Sequence, residues 1–183
     1  QVTRNVPSII CESFPNLQEI FLELSNVEVL TTTSFSACEN IEILFLGMNA
    51  ISVIPGSIFT TNTKLHTLMM FMNNIQEISI NAFNGSQISV LELDNNQLLE
   101  IRQGWFDSIH SSLEVLTISS NNITESPGGL QLDNLRVLDV SYNNFGYLQP
   151  DFLWNLRNLT NLWIEGIGIS YIYERSFEGE NFN

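Results

Sequence analysis

The chain predicts an α/β solenoid: a right-handed coil with a parallel concave β-sheet of about seven to eight strands and a convex side of loops and short helical turns. Three observations predict it. An apolar pattern restarts at residues 17, 41, 65, 88, 113, 135 and 159, at spacings of 24, 24, 23, 25, 22 and 24, a period that belongs to stacked repeats. Each restart carries apolar residues two apart, as in Leu65-His66-Thr67-Leu68-Met69-Met70, the alternation of a strand with one buried face. An asparagine then recurs at Asn49, Asn73, Asn96, Asn121 and Asn143.

The elements follow in order. Residues 1–16 make a partial N-terminal coil, and residues 17–182 make seven repeats of one domain spanning 1–183. In each repeat the strand comes first, with Leu68 and Met70 inward and Thr67 and Met69 outward in the third. The recurrent Asn follows, because one amide both donates and accepts and so satisfies turn backbone in its own and the adjacent coil. Phe35, Phe59, Phe83, Phe106 and Phe177 recur at a single later offset and fill the convex half of the core. That offset falls on Gln131 and Leu153 in the fifth and sixth repeats, and Ser126-Pro127-Gly128-Gly129 interrupts the pattern, so local irregularity is expected there. Ile167 replaces the Asn in the seventh repeat.

Composition narrows the function. With 44% hydrophobic and 14% charged residues the chain packs rather than remaining disordered. Twenty acids against six bases give a net charge of −14, which repels phosphate backbones and anionic lipid and excludes nucleic acid as an expected partner. A basic partner is compatible with this charge, as is solubility alone. The apolar run from Ile41 to Phe59 is not read as a membrane span, since Glu42, Asn49 and Pro55 occupy repeat positions. Direct membrane insertion is therefore not expected.

Cys11 and Cys38 fall on the same convex flank of adjacent coils. Strands lie about 4.8 Å apart and disulfide Cα atoms about 4.4–6.8 Å apart, so a coil-to-coil bridge is feasible; two unpaired buried thiols are the alternative. Asn84-Gly85-Ser86, Asn122-Ile123-Thr124 and Asn158-Leu159-Thr160 are glycosylation acceptors. All three asparagines fall in turns or connections, where a sugar fits and where an unmodified turn Asn fits equally.

The repeat as a whole, cleanest as Leu65-x-x-Leu68-x-Met70-x-x-Asn73, resembles the leucine-rich-repeat family in its longer extracellular type from about Leu17 to Phe177. The fold that this resemblance implies is the leucine-rich-repeat solenoid. Ile10-Cys11-Glu12-Ser13-Phe14-Pro15-Asn16-Leu17 and Phe35-Ser36-Ala37-Cys38-Glu39-Asn40-Ile41 look like secreted insect leucine-rich-repeat proteins, some of which act in innate immunity, and more loosely like Toll-type receptor ectodomains. The resemblance implies a secreted chain, or the ectodomain of a membrane receptor, that recognises a protein or glycan on its concave sheet without catalysis. The family's cysteine-rich caps and coiled-coil tail are not recognisable in this sequence.

Function is expected in the variable positions. Residues one repeat apart become neighbours, so Phe21, Leu24, Ile43, Phe45, Met48, Met69, Phe71 and Met72 form one apolar patch over the first three repeats. A phenylalanine buries about 150–250 Å², and an exposed patch of several hundred Å² usually marks a binding surface. A bland alternative is that these residues only favour strands or lie beneath the N-terminal segment. The later repeats place Glu92, Asp94, Asp139 and Glu165 among serines and threonines, with Tyr142 and Trp163. These suit a basic or glycan ligand; a merely solvated face is the competing reading.

A catalytic reading does poorly. His66 and His110 lack an evident organised Ser or Cys nucleophile, and two histidines and two cysteines so dispersed do not form a zinc site. Glu92 with Asp94 or Asp139 lacks the enclosing cleft of a glycosidase, and no loop has calcium-ligand spacing. No cofactor is expected. The rival class is a structural module that self-associates into a homodimer through the apolar patch or its ends, where Leu162, Ile164, Ile169, Ile172 and Phe177 are expected to be poorly covered.

Overall fold

The structure is a computed structural model that describes residues 5–6, 9–125, 127–149 and 151–169. The expectations for Ser126, Ile172 and Phe177 lie outside the described residues. The seven strand segments become seven short parallel strands in one sheet: β1 Glu19–Phe21, β2 Ile43–Phe45, β4 Thr67–Met69, β6 Val90–Glu92, β7 Val115–Thr117, β8 Val137–Asp139 and β9 Asn161–Trp163, in that spatial order. A helical turn, α1 Ile9–Ser13, precedes them.

Register is kept from strand to strand, with Leu44 opposite Leu68, Leu68 opposite Leu91 and Leu91 opposite Leu116. The central residue of each strand faces inward, and Leu44, Leu68, Leu91, Leu116 and Leu138 are fully buried. Period-two alternation leaves the flanking residues on the other face. Leu162 in β9 is only partly buried.

The convex side is more ordered than loops and helical turns alone. It carries a second, two-stranded parallel sheet, β3 Val53–Ile54 with β5 Glu77–Ile78, extended by bridges Asn5 to Val29 and Glu100 to Glu125. In β3 and β5 the second residue is buried and the first exposed, so a second alternating stripe closes the coil. One short 3₁₀ helix spans Gln103–Trp105. Phe35, Phe59, Phe83 and Phe106 are all buried, the first two stacked with ring centroids 6.0 Å apart. In the irregular fifth and sixth repeats the inward residue moves one place earlier: Leu130 and Phe152 are buried where Gln131 is exposed and Leu153 only partly covered. The preceding offset already faces inward at Ile58, Ala82 and Trp105, so a large side chain there takes over the filling.

The asparagines stitch coils together. Asn73 accepts from the Ile51 N–H and donates to the Leu46, Met70 and Phe71 carbonyls. Asn96, Asn121 and Asn143 repeat that pattern one coil at a time. A second buried amide does similar work on the descending flank, where Asn62 donates to the Phe35 and Cys38 carbonyls. Cys11 and Cys38 are joined in the structure, with Cα atoms 5.0 Å apart, which ties α1 to the first repeat.

Candidate recognition face

Each strand is only three residues long, so the face has two parts. The strand residues Phe21, Ile43, Phe45 and Met69 stand on the sheet. Phe71 and the column Leu24, Met48 and Met72 do not; they sit in the turn after the strand. Leu24, Met48, Met72, Asn95, Ser120 and Tyr142 all have φ between 52° and 55°, the left-handed region that costs an ordinary L-residue roughly 1–2 kcal/mol. The ladder Asn that follows it explains why the chain enters this region: its amide donates to the carbonyls two and three residues before it and so fixes the turn. The N–H of the strained residue meanwhile bonds to the next coil, from Met48 to Phe71, Met72 to Asp94, and Asn95 to Ser119.

The apolar patch forms as a contiguous group. Phe21 and Phe45 stack with centroids 4.5 Å apart and an interplanar angle of 20°, a contact worth about 0.5–1.5 kcal/mol beyond area burial. Phe71 lies over Gly47, where an added Cβ would come within 2.8 Å of its ring, so glycine is what lets the ring lie flat. Ile43, Phe45, Met69 and Phe71 are half-buried. Phe21 and Leu24 remain 57% and 73% exposed, and Met48 and Met72 are exposed too. In the N-terminal segment, α1 is tied through Cys11 to Cys38 of the first repeat.

The acidic half is partly committed to its own backbone. The Asp94 carboxylate accepts from the Thr117 hydroxyl and from the Ser119 N–H at 2.7 Å. Asp139 accepts from the Ser141 N–H at 2.9 Å. Thr117 and Ser119 lie one repeat beyond Asp94, and reading down the columns would have found them. Glu92 is half-buried beside Asp94, and burial first, then that neighbouring charge, raises its pKa above the ordinary carboxylate value. Tyr142 donates to Glu165 at 3.1 Å, and its ring covers Gly166; that hydrogen bond, followed by the Glu165 charge, raises the phenol pKa. Trp163 is exposed on β9.

The remaining candidates are scattered. His66 Nδ1 lies 3.0 Å from the hydroxyl of its own neighbour Thr67, and its Nε2 is 3.9 Å from Glu42, beyond hydrogen-bond length. His110 is on another flank, 3.8 Å from Asp133. Among the described residues no cluster of three or more His, Cys, Asp or Glu has the geometry to hold a metal, and no helix is long and apolar enough to cross a membrane. Asn122 is exposed, as is Thr124. Asn158 is exposed, but its amide donates to the Asp133 carbonyl at 2.7 Å. Asn84 is half-buried, and the hydroxyl of Ser86 in its acceptor triplet is buried against the Phe83 carbonyl.

Family models described as leucine rich repeat match residues 86–131 and 134–156. Human oligodendrocyte-myelin glycoprotein is 36% identical over 67 residues, which are 37% of this chain and 15% of that protein. The glycosylated form of the Drosophila Toll–Spatzle complex contains a chain that superposes with a TM-score of 0.76 at 26% identity, over 88% of this chain and 24% of that one. A chain of the TLR13–ssRNA13 complex superposes with a TM-score of 0.69 at 23% identity, over 81% of this chain and 22% of that one. This chain thus spans less than a quarter of the length of each of these three proteins. With the restarting apolar pattern, the in-register parallel sheet and the asparagine ladder all present, the chain has the leucine-rich-repeat solenoid fold, and leucine-rich-repeat models match it over residues 86–131 and 134–156.

Proposed function

We propose that this is an extracellular recognition module that binds a protein ligand on the seven-stranded face, without catalysis, in innate immunity. The apolar half anchors the ligand and the acidic half selects it. One observation carries this reading: the left-handed turn residue, where Asn or Gly fits with least strain, is Leu24, Met48 and Met72 in the first three coils, and all three side chains are exposed. Neither folding propensity nor core packing accounts for large apolar side chains at a strained, solvated position. Met there adapts to varied apolar partners.

The extracellular setting is supported by the Cys11–Cys38 pairing geometry and by the three glycosylation acceptors. The glycosylated Toll–Spatzle complex, described as a molecular hub in development and innate immunity and containing a chain 26% identical to this one, offers a protein-binding parallel. TLR13 is in complex with single-stranded RNA, but it shares with this chain the fold alone. Here the outward strand residues include Glu19, Glu92 and Asp139 and no Lys or Arg, which disfavours a phosphate backbone.

The test is the double variant Phe45→Ser/Phe71→Ser in a pull-down from extracellular fluid, with light scattering over a concentration series. Loss of a captured protein by a folded, monomeric variant supports the proposal. Unchanged capture refutes it. A parent dimer that the variant dissociates, with no captured protein, favours the self-associating module instead.

A further inference from the structure

A cavity away from the recognition face is built by the segment where the repeat pattern fails. Gly128 and Gly129 of the fifth repeat meet Asp151, Trp154, Asn155 and Arg157 of the sixth around a volume of about 310 Å³. This lies at the small end of the roughly 300–1,000 Å³ typical of ligand pockets. The two glycines keep its floor open. A Cβ at Gly128 would stand 3.1 Å from the Asp151 carboxylate, and one at Gly129 would stand 3.0 Å from the Asn155 amide nitrogen. Any larger residue would therefore cover the polar groups that glycine leaves bare.

Those groups are uncommitted. Among the described residues the Asp151 carboxylate and the Arg157 guanidinium have no ion-pair partner, although both line one cavity, and Asn155 makes no hydrogen bond. The site thus offers an acceptor-only group, a donor-only group and an amide that does both, beside the half-buried Trp154. An anion would meet Asp151 and a cation would meet Arg157, so a net charge on the ligand is disfavoured in either sign. A neutral molecule with many hydroxyls suits all of them. Each hydroxyl both donates and accepts, adjacent hydroxyls match the two oxygens of a carboxylate or the fork of a guanidinium, and the C–H face of a sugar ring packs on an aromatic surface.

We propose that this cavity between the fifth and sixth repeats is a saccharide-binding site for a single sugar or the end of a glycan chain, independent of the protein-binding face. Asp151, Asn155 and Arg157 hold the hydroxyls and Trp154 supplies the stacking wall.

Saturation-transfer difference NMR with methyl α-D-mannopyranoside, methyl β-D-galactopyranoside, N-acetyl-D-glucosamine and free glycine tests it. The expected result is transfer to the ring protons of at least one sugar and none to glycine. Asp151→Asn keeps the shape and removes the charge, and weakens the Kd about tenfold or more, the worth of a hydrogen bond to a charged group. Trp154→Ala abolishes the signal, and Gly129→Val abolishes it by filling the cavity. The Phe45→Ser/Phe71→Ser protein binds as the parent does. Circular dichroism melts establish that each variant folds, and Asp151→Asn decides the matter if Trp154→Ala does not. No transfer to any of the three sugars overturns the proposal, as does transfer that survives both Asp151→Asn and Gly129→Val, or binding of glycine in place of a sugar.

Discussion

Replacing Asn73 by Ala removes four hydrogen bonds, yet the structure sets the cost well below four times the worth of one. The Leu46 carbonyl keeps a second donor in Asn49 at 2.9 Å, the Met70 carbonyl keeps Asn96 at 3.0 Å, and the Phe71 carbonyl keeps the Met48 N–H at 2.9 Å. Only the Ile51 N–H, which Asn73 accepts at 3.1 Å, is left without a partner, and Ile51 is fully buried. One orphaned buried donor costs about 1–3 kcal/mol, whereas counting bonds gives about 4 kcal/mol at about 1 kcal/mol each. Urea unfolding followed by circular dichroism measures the total, and hydrogen exchange at the Ile51 amide localises it. Asn73→Asp adds a second constraint. Its carboxylate still accepts from Ile51 but turns an oxygen towards three carbonyls, so its folded pKa lies above the unfolded value. The associated stability is fully present below the unfolded pKa of about 3.9 and is lost as pH rises through the folded pKa. Asn73→Asp is therefore less stable than Asn73→Ala near pH 7 and recovers in acid. A loss of about 4 kcal/mol or more for Asn73→Ala, or an Asn73→Asp protein whose stability does not respond to pH, refutes the reasoning.

Four further outcomes follow. The non-reduced mass is two hydrogens below that of the free dithiol, and Cys11→Ala/Cys38→Ala lowers stability by about 3.5 kcal/mol, the chain-entropy value for a loop of 27 residues; an unchanged melt argues against it. Because burial and Asp94 raise the Glu92 pKa in the folded state, the stability linked to this group is present in acid and lost as pH rises through its folded pKa; Glu92→Gln accordingly raises the melting temperature near pH 7 and leaves it unchanged near pH 3. Ultraviolet titration of the parent minus Tyr142→Phe isolates the Tyr142 phenol, whose pKa falls back towards 10 in Glu165→Gln. Expressed in a secretory host, the protein carries sugar at Asn122, where acceptor Asn and Thr124 are both exposed, and less at Asn84, whose Ser86 hydroxyl is buried; peptide mapping after glycosidase digestion reads both.

The strand positions were legible because they follow from period-two alternation, and Leu44, Leu68 and Leu91 sit where it puts them. The ladder was legible because an Asn repeated at one offset has few other uses. The left-handed turn was not, since it is dictated by hydrogen bonds from a later residue and occupied by Leu and Met, which carry no local signal for positive φ. The takeover of convex packing by Leu130 and Phe152 was hidden for a related reason: two adjacent offsets both face inward, and volume decides which is filled. On the face, residue type points to Phe21, Phe45 and Met69 as outward strand residues, which follows from the alternation, but the engagement of Asp94 by Thr117 and Ser119 depends on contacts across coils that residue type alone does not express.

Because every strand aligns with its neighbour in register, the change from Met69 to Glu92 is a sharp border one strand wide. That makes the recognition face a stepped ruler. Exchanging the variable residues of a single coil moves the border by one strand spacing, about 4.8 Å, while the inward leucines and the ladder stay as they are. The length of the apolar track is then a whole number of strands, and a ligand bound along it should lose affinity in steps as coils are converted one after another.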